Sequence, residues 1–448
     1  MVALDGEKIP ERPTIYFKSV SKKSHSSPWR GWDELHVSIH YLDNFGISSK
    51  YNYIQIMYKG FKYRIYPTKA QSTLLNKHLG CTRLVYNLAL ELKTMAWAGH
   101  RTNLSRYDIS KQLPELKNEY PWLKEVNSQS LQSALVDLDT AYDKFFKGQA
   151  DFPNFKRKAH GGSFHIPQNI TLEGRKLSIP KFREGIDIVL HRETKGIIKS
   201  ATISKTPTGK YFVSILCDTG QQPKPKPDIK PETTVGIDLG LKDFAITSDG
   251  LKVSSPKYLR EAECKLKYLQ RKYSKYKGKR TREKLALQHE KVANKRKDFL
   301  HKLSTRLIRE NQTIALEDLN VKGMQQNHCL AKSISDAGWG MFVDMLKYKA
   351  EWYGVNLLKI GRFDPSSKTC SNCGQIHEEL TLSDRKWECK ACNKTHDRDV
   401  NAAKNVKAFA LNNYNVSAGR RNKNQDELSA LVEVMTPEAH PIGSAVGG

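Results

Sequence analysis

Four cysteines towards the carboxyl-terminal end constrain the fold of this chain more than any other feature of its sequence. They form two C-x2-C pairs separated by fifteen residues, Cys370 with Cys373 and Cys389 with Cys392. This spacing is typical of zinc ribbons, in which four thiolates complete a closed tetrahedral shell around one structural Zn²⁺ ion. Gly374 and Asn393, directly after the pairs, are suited to the tight turns that such a site needs. The alternative, four free buried thiols, is much less favoured.

The charge of the chain indicates a polyanionic partner. It has 448 residues, with 74 Lys and Arg against 47 Asp and Glu, a net charge of +27 and a pI near 9.6. Such an excess fits a nucleic acid better than a small substrate or a generically soluble basic protein. The sequence has neither an apolar run of the ~18 residues that a membrane span needs nor a secretory signal, so we expect no membrane partner. The other cysteines are scattered singles, which favours a reducing cytosol.

Three acidic motifs indicate metal-dependent chemistry. In Val235–Gly240, written as a strand, three apolar side chains point one way, and the opposite face is bare except for Asp238. That bare face predicts close approach of an anionic backbone and a metal ion, although a lone Asp between glycines is more often a turn residue. The second motif, Thr313–Asn320, is a buried strand ending in acid. The third, His396–Ala403, is a loop that enters a helix. Converging carboxylates could hold two Mg²⁺ ions for phosphodiester cleavage.

The rest of the chain divides by its hydrophobic periodicity. A strand is predicted at 57–67, helices from 68 to about 147, and short strands over 163–217. Four prolines between 223 and 231 mark a stiff linker. Residues 256–310 predict a long helical hairpin that bends at Lys277–Lys279, with one face rich in Lys and Arg. A solvated surface is the common explanation of such a face, but its nearly uniform positive sign favours phosphate contact.

The sequence resembles the TnpB family, whose members are transposon-encoded RNA-guided nucleases regarded as ancestral to type V CRISPR effectors. The similarity is carried, in order, by VGIDLGLKDFAI (235–246), NKRKDFLHKLS (294–304), LEDL (316–319), SISDAGWGMF (333–342), PSSKTCSNCG (365–374) and HDRDVNAAKNV (396–406). Looser matches at FKYRIYPTKAQ (61–71), LVYN (84–87) and FPNFKRK (152–158) extend it towards the amino terminus. About 350 residues are covered, and 1–56 and the tail beyond about 412 are not.

The resemblance implies an α/β, RNase H-like (RuvC) nuclease domain with an inserted zinc ribbon. It also implies a β-barrel wedge domain before the nuclease, with a helical recognition lobe inserted into the barrel. The expected boundaries are: extension of unknown role 1–56; wedge 57–67 and 160–222; recognition lobe 68–158; linker 223–231; nuclease 232–366 and 396–412; ribbon 367–395; disordered tail 413–448. Met57 could be the working start of the chain.

The resemblance also implies the function. The catalytic, Mg²⁺-binding carboxylates of the family carry over as Asp238, Glu317 and Asp399. A guide RNA from the transposon end would direct the protein to double-stranded DNA beside a short target-adjacent motif, in the cytosol and nucleoid of a prokaryote. Gln132 is a candidate reader of that motif, because Gln can pair bidentately with adenine. Two alternatives are an RNA-guided regulator that does not cut and, less favoured, a strand-transfer transposase.

Overall fold

The computed structural model describes residues 57–158, 161–362, 364–381 and 383–434, without the side chains of Lys322 and of 418–434. The predicted extension 1–56 lies outside the described residues. No helix in the described part of the chain is both long and apolar enough to cross a bilayer.

An antiparallel seven-stranded sheet forms the first half of the described chain. Its strands are β1 (Tyr58–Tyr66), β2 (Gly162–Ile166), β3 (Thr171–Glu173), β4 (Lys176–Ile179), β5 (Phe182–Val189), β6 (Ile197–Lys205) and β7 (Tyr211–Asp218). They pair in the order β2-β6-β7-β1-β5-β4-β3. The edge strands β2 and β3 are short, and each pairs on one side only. The described strands are therefore hydrogen-bonded as an open sheet and not as the closed barrel that was predicted.

A helical segment is inserted between β1 and β2. It contains α1 (Lys69–His100), α2 (Arg106–Ser110), α3 (Leu113–Glu119) and α4 (Ser128–Phe146). A capping box starts α1, since the Thr68 hydroxyl accepts the Gln71 N–H at 3.3 Å and the Gln71 side chain accepts the Thr68 N–H at 3.0 Å. Leu75 and Leu79 of α1 pack into the core of the seven-stranded sheet, whereas later residues of α1 pack against α4.

A mixed five-stranded sheet organises the second half. Its strands are β8 (Thr234–Asp238), β9 (Asp243–Thr247), β10 (Lys252–Ser254), β11 (Thr313–Glu317) and β12 (Asn356–Ile360), in the order β10-β9-β8-β11-β12. β8, β11 and β12 are parallel, and β9 is antiparallel to both of its neighbours. The helices are α5 (Tyr258–Tyr276), α6 (Lys279–Glu310), α7 (Val321–Met324), α8 (Ala331–Ala337), α9 (Trp339–Tyr353) and α10 (Arg398–Val434).

Helices cover both faces of this sheet. Val235, Ile237, Ile314 and Leu316 share a core with buried side chains of α6 and α9. On the opposite face, Ala315 and Ile360 pack against α10. The predicted hairpin is confirmed as α5 and α6, which turn at Lys277 and Gly278.

The cysteine segment lies between β12 and α10. Its two-stranded sheet consists of β13 (Lys386–Glu388) and β14 (Thr395–Asp397). Directly after β14, α10 runs from Arg398 to Val434 and so includes residues 413–434 of the segment predicted to be a disordered tail. No proline occurs in that stretch to end the helix. The remainder of the predicted tail lies outside the described residues.

Candidate active site and zinc site

Two of the predicted carboxylates end neighbouring parallel strands. The register of β8 and β11 places Ile237 beside Leu316, and Asp238 and Glu317 follow these residues directly. The carboxyl ends of parallel strands meet at one edge of a sheet, where α/β proteins commonly place their sites. Both side chains are partly exposed at this edge.

Helix α10 brings the third carboxylate to the same edge. It packs on β8 across Gly236, where an added Cβ atom would meet the carbonyl oxygen of Ala403 and lie 2.6 Å from the backbone nitrogen of Lys407. The prediction that this bare strand face admits an anionic backbone is therefore wrong at Gly236, because α10 covers it. The missing side chain instead allows the helix backbone to approach the strand directly. Asp399 lies in the first turn of this helix.

The three carboxylates interact electrostatically. Burial, followed by the negative charges of Glu317 and Asp399, raises the pKa of the Asp238 carboxyl from 3.8 to about 7. A like charge nearby disfavours ionisation, and burial has the same effect on an acid. The cluster is therefore unfavourable as three free anions. A bound cation would relieve both the repulsion and the desolvation.

The donor set fits a hard divalent cation. Among the described residues, the four cysteines are the one group of three or more His, Cys, Asp or Glu whose ligand atoms all lie within 4.8 Å of each other. The carboxylate cluster is more open than that. Mg²⁺ binds through one or two carboxylates and keeps several waters, so an open cluster of carboxylate oxygens suits it.

Two of the three carboxylates at this edge have specific neighbours that the sequence did not reveal. The Ser366 hydroxyl donates to Glu317 Oε1 at 2.5 Å, and Arg385 Nη1 lies 3.5 Å from Asp399 Oδ1. Ser366 belongs to the PSSKTCSNCG stretch, which carries the family resemblance but gave no reason to assign a role to this serine. Neither contact follows a sequence periodicity, because each joins loop residues to a distant element.

Asp397, two residues before Asp399, has a structural role. Its Oδ1 accepts the backbone N–H of Val400 at 3.2 Å, and its Oδ2 receives Lys252 Nζ at 2.6 Å. Since α10 begins at Arg398, Asp397 is the N-cap of the helix. The capping role that Asp399 could have had is thus filled by its neighbour.

The four cysteines form a compact cluster with the geometry of two metal-binding turns. Cys370 Sγ lies 3.7 Å from Cys392 Sγ, and Cys373 Sγ lies 3.6 Å from Cys389 Sγ. In each turn a backbone N–H donates to the carbonyl of the first cysteine, from Gly374 at 2.9 Å and from Asn393 at 2.8 Å. Both turn residues have positive φ, +78° and +54°, in agreement with the tight turns predicted for them.

Two histidines support the cysteine sulfurs from outside the cluster. His396 Nε2 lies 3.1 Å from Cys370 Sγ, and His377 Nε2 lies 3.2 Å from Cys389 Sγ. An N–H donated to a thiolate stabilises its charge, as outer groups do around metal ligands. Four sulfurs in a closed, turn-bound arrangement fit a structural Zn²⁺ ion.

Gln132, the predicted motif reader, lies on α4, far along the chain from the carboxylates, and its side chain is exposed.

Comparison with known proteins identifies the family. Three family models match: "Helix-turn-helix domain" at 57–102, "Probable transposase" at 214–328 and "Cas12f1-like, TNB domain" at 339–406. In this structure residues 57–102 form a strand and one continuous helix, without a turn between two helices. A Streptomyces pristinaespiralis protein named "Putative RNA-guided DNA endonuclease" is 40% identical over 80% of this chain and 90% of its own length.

A second relative, from Escherichia coli K12, is named "Putative RNA-guided DNA endonuclease InsQ" and is 30% identical over 78% of this chain and 92% of its own. Among solved structures, CasPhi-2 (Cas12j) bound to crRNA aligns with a TM-score of 0.41 at 10% identity, covering 80% of this chain and 99% of that one. The sequence relatives show that the chain belongs to the TnpB family.

Proposed function

We propose that this protein is an RNA-guided, Mg²⁺-dependent DNA endonuclease of an insertion-sequence transposon. The observation that carries the proposal is the meeting of Asp238, Glu317 and Asp399 at one edge of the sheet, where burial and mutual repulsion raise the pKa of Asp238 to about 7. Perturbed carboxylates gathered in this way are characteristic of functional sites. The relatives that share most of the chain are themselves named as RNA-guided DNA endonucleases.

Asp238, Glu317 and Asp399 would hold Mg²⁺, most simply two ions. Bound there, Mg²⁺ supplies an activated water and stabilises the leaving oxygen of a phosphodiester. The protein residues place three acceptor groups on three separate elements, β8, β11 and α10, so that the packing of the sheet fixes their relative positions. The second predicted metal, one Zn²⁺ held by the four cysteines, would be structural.

The guide RNA and the target DNA are the proposed partners. The charge of +27 supports a large phosphate surface. On the hairpin, exposed Arg271 and Lys275 line a shallow groove on α5. We assign the hairpin to RNA contact, and Gln132 to the DNA motif beside the target. The nuclease, ribbon, wedge and recognition-lobe roles follow the boundaries given above, and the setting would be the prokaryotic cytosol.

A regulator that binds without cutting is the second candidate. It requires the same RNA and DNA surfaces but not the carboxylates, and family members of that kind have lost them. All three carboxylates are present here, which favours cleavage.

The test is cleavage by the purified complex. The chain is expressed with its transposon end, the RNA that copurifies is sequenced, and a plasmid library carrying the matching target beside randomised flanks is incubated with Mg²⁺. We expect linear products from plasmids with one flanking motif, none with EDTA, and none from Asp238→Asn. Target binding without cleavage by the wild-type complex would instead establish the regulator.

A further inference from the structure

A buried serine holds one of the proposed metal-binding carboxylates. Ser366 is 6% exposed, and its hydroxyl donates to Glu317 Oε1 at 2.5 Å. Glu317 itself ends β11 at the exposed edge of the sheet. A long carboxylate side chain at an edge has several rotamers open to it, and a hydrogen bond from a fixed donor selects one of them.

The backbone of Ser366 is fixed on both sides. Its N–H donates to the carbonyl of Asp364 at 2.8 Å, and its own carbonyl accepts from Asn405 Nδ2 at 2.7 Å. The preceding carbonyl, of Pro365, accepts both the N–H and the hydroxyl of Thr369, at 3.0 and 2.8 Å. The position of the hydroxyl is therefore set by the loop, and the side chain does not adapt freely to Glu317.

The same loop is attached to the helix that carries Asp399. Asn401 and Asn405, both almost fully buried on α10, donate to the carbonyl of Thr369 at 2.7 and 2.6 Å. Asn401 also accepts the N–H of Ser371 at 2.9 Å. Thr369 and Ser371 are the residues on either side of Cys370, so the entrance to the zinc ribbon and the first turns of α10 form one hydrogen-bonded unit.

The geometry points to Ser366 as a positioning residue for the metal-ion site. We infer that its hydroxyl fixes the Glu317 carboxylate relative to Asp399, by way of the loop that Asn401 and Asn405 bind to α10. This inference rests on the proposed function, since Glu317 is there a ligand of a divalent cation. It adds a residue that touches neither the cation nor the DNA but acts through Glu317.

The experiment compares three variants of the full chain with its guide RNA. Ser366→Ala removes the hydroxyl, Ser366→Thr restores one, and Ser367→Ala is the matched control, because Ser367 is adjacent but has no bond to the carboxylates. Mn²⁺ binding is measured by electron paramagnetic resonance, and cleavage is measured over a range of Mg²⁺ concentrations. Mn²⁺ held by the RNA is common to all samples.

For Ser366→Ala we expect Mn²⁺ affinity to fall, and the Mg²⁺ concentration for half-maximal cleavage to rise, by about ten- to a hundredfold, the usual effect of losing a group that orients a metal ligand. Ser366→Thr should recover much of this, and Ser367→Ala should match wild type. Equal Mn²⁺ affinity and equal Mg²⁺ dependence in Ser366→Ala and Ser367→Ala would overturn the inference. If no protein cleaves but Ser366→Ala still binds Mn²⁺ more weakly, the inference stands and the proposed function fails.

Discussion

The backbone nitrogen of Lys407 lies 2.6 Å from the point where a Cβ atom on Gly236 would be. At this point α10 lies directly on β8. The contact brings the first turn of the helix, with Asp399, to the edge where Asp238 ends the strand. A side chain at residue 236 would push the helix and strand apart, and with them two of the three proposed catalytic groups.

Gly236→Ala should therefore damage both stability and activity. The added methyl meets backbone atoms of Ala403 and Lys407, which cannot rotate away, so we expect a loss of about 1–3 kcal/mol in the free energy of unfolding. Urea unfolding measures this. Gly60→Ala is the control, since Gly60 also lies in a strand, with nothing within 4 Å of an added Cβ. If the two variants unfold alike, α10 does not pack on β8 as described.

The sequence predicted the elements that local patterns specify. The cysteine spacing, with Gly374 and Asn393, predicted the clustered turns. The alternating residues of Val235–Gly240 predicted a strand, which the structure forms at Thr234–Asp238. The bend at Lys277–Lys279 also followed from local chemistry. Each of these elements is specified by a short stretch of sequence, so it can be predicted without knowledge of tertiary contacts.

The features that the sequence could not reveal depend on the tertiary packing of its helices and strands. The bare face of β8 indicated an open surface, because glycine reports only that something approaches closely, not whether it is a ligand or a helix. Likewise, Asp397 and Asp399 both suit an N-cap, and only the start of α10 at Arg398 selects Asp397. The contact of Ser366 with Glu317 joins residues 49 positions apart, beyond any periodicity.

The raised pKa of Asp238 predicts a pH-dependent stability. Between pH 4 and about pH 7 the native state holds a proton that the unfolded chain, with its lower pKa, has released. In metal-free protein the free energy of unfolding at this site should therefore fall as pH rises through that window. Asp238→Asn should match wild type at pH 4 and be the more stable protein at pH 8, as measured by urea unfolding in EDTA.

Adding Mg²⁺ at pH 8 is the control for this effect. A cation bound at the cluster keeps Asp238 ionised without penalty, so wild type should gain stability and Asp238→Asn much less. An Asp238→Asn protein that shows the same pH and Mg²⁺ dependence as wild type would contradict the assignment of Asp238 to a cation site.

The cysteine cluster predicts about one Zn²⁺ per chain, since four thiolates complete one tetrahedral shell. Cys389→Ser should loosen the metal and destabilise the ribbon, because the folding energy of such a site is largely metal-binding energy. Cys217→Ser is a matched control, as both cysteines are fully buried and Cys217 lies outside the cluster. Elemental analysis of the purified proteins decides, and a zinc-free wild type would refute the site.

The hairpin should contribute electrostatically to RNA binding. Each phosphate contact releases counterions, so RNA affinity should fall steeply as salt rises. Arg271→Glu combined with Lys275→Glu should weaken binding and flatten the dependence of log affinity on log salt. The same charge change in the linker, at Lys224 and Lys230, should have less effect. Equal salt dependence in both double variants would show that the hairpin does not contact the RNA.

A core that begins at Met57 should be sufficient for folding and RNA binding. Met57 is buried and its backbone bonds to Thr219 and Gln221, beside the first strand. Every residue to which a role is given above lies after it. A chain that starts at Met57 should therefore unfold at the same urea concentration as the full chain and bind the same RNA. Failure of either would show that residues 1–56 are required.

The last prediction separates Asp399 from Asp397. Asp399→Asn removes a negative charge from the carboxylate cluster and leaves the N-cap intact. Cleavage should fall by about two orders of magnitude or more, since metal ligation supplies several kcal/mol of transition-state stabilisation. Zinc content and RNA binding should stay unchanged, and the free energy of unfolding should not fall. Asp397→Asn should cost much less activity, because Asn caps a helix about as well as Asp.

Asp397→Ala completes the comparison. It removes the cap and the contact with Lys252, so the free energy of unfolding should fall by about 1 kcal/mol, with a smaller effect on cleavage than Asp399→Asn. Initial cleavage rates and urea unfolding, measured on the same preparations, give the two readouts. If Asp397→Asn abolished cleavage and Asp399→Asn did not, Asp397 would be the metal ligand and Asp399 would not. If cleavage tolerated Asn at both positions, α10 would contribute no ligand, and the proposed nuclease site would be refuted.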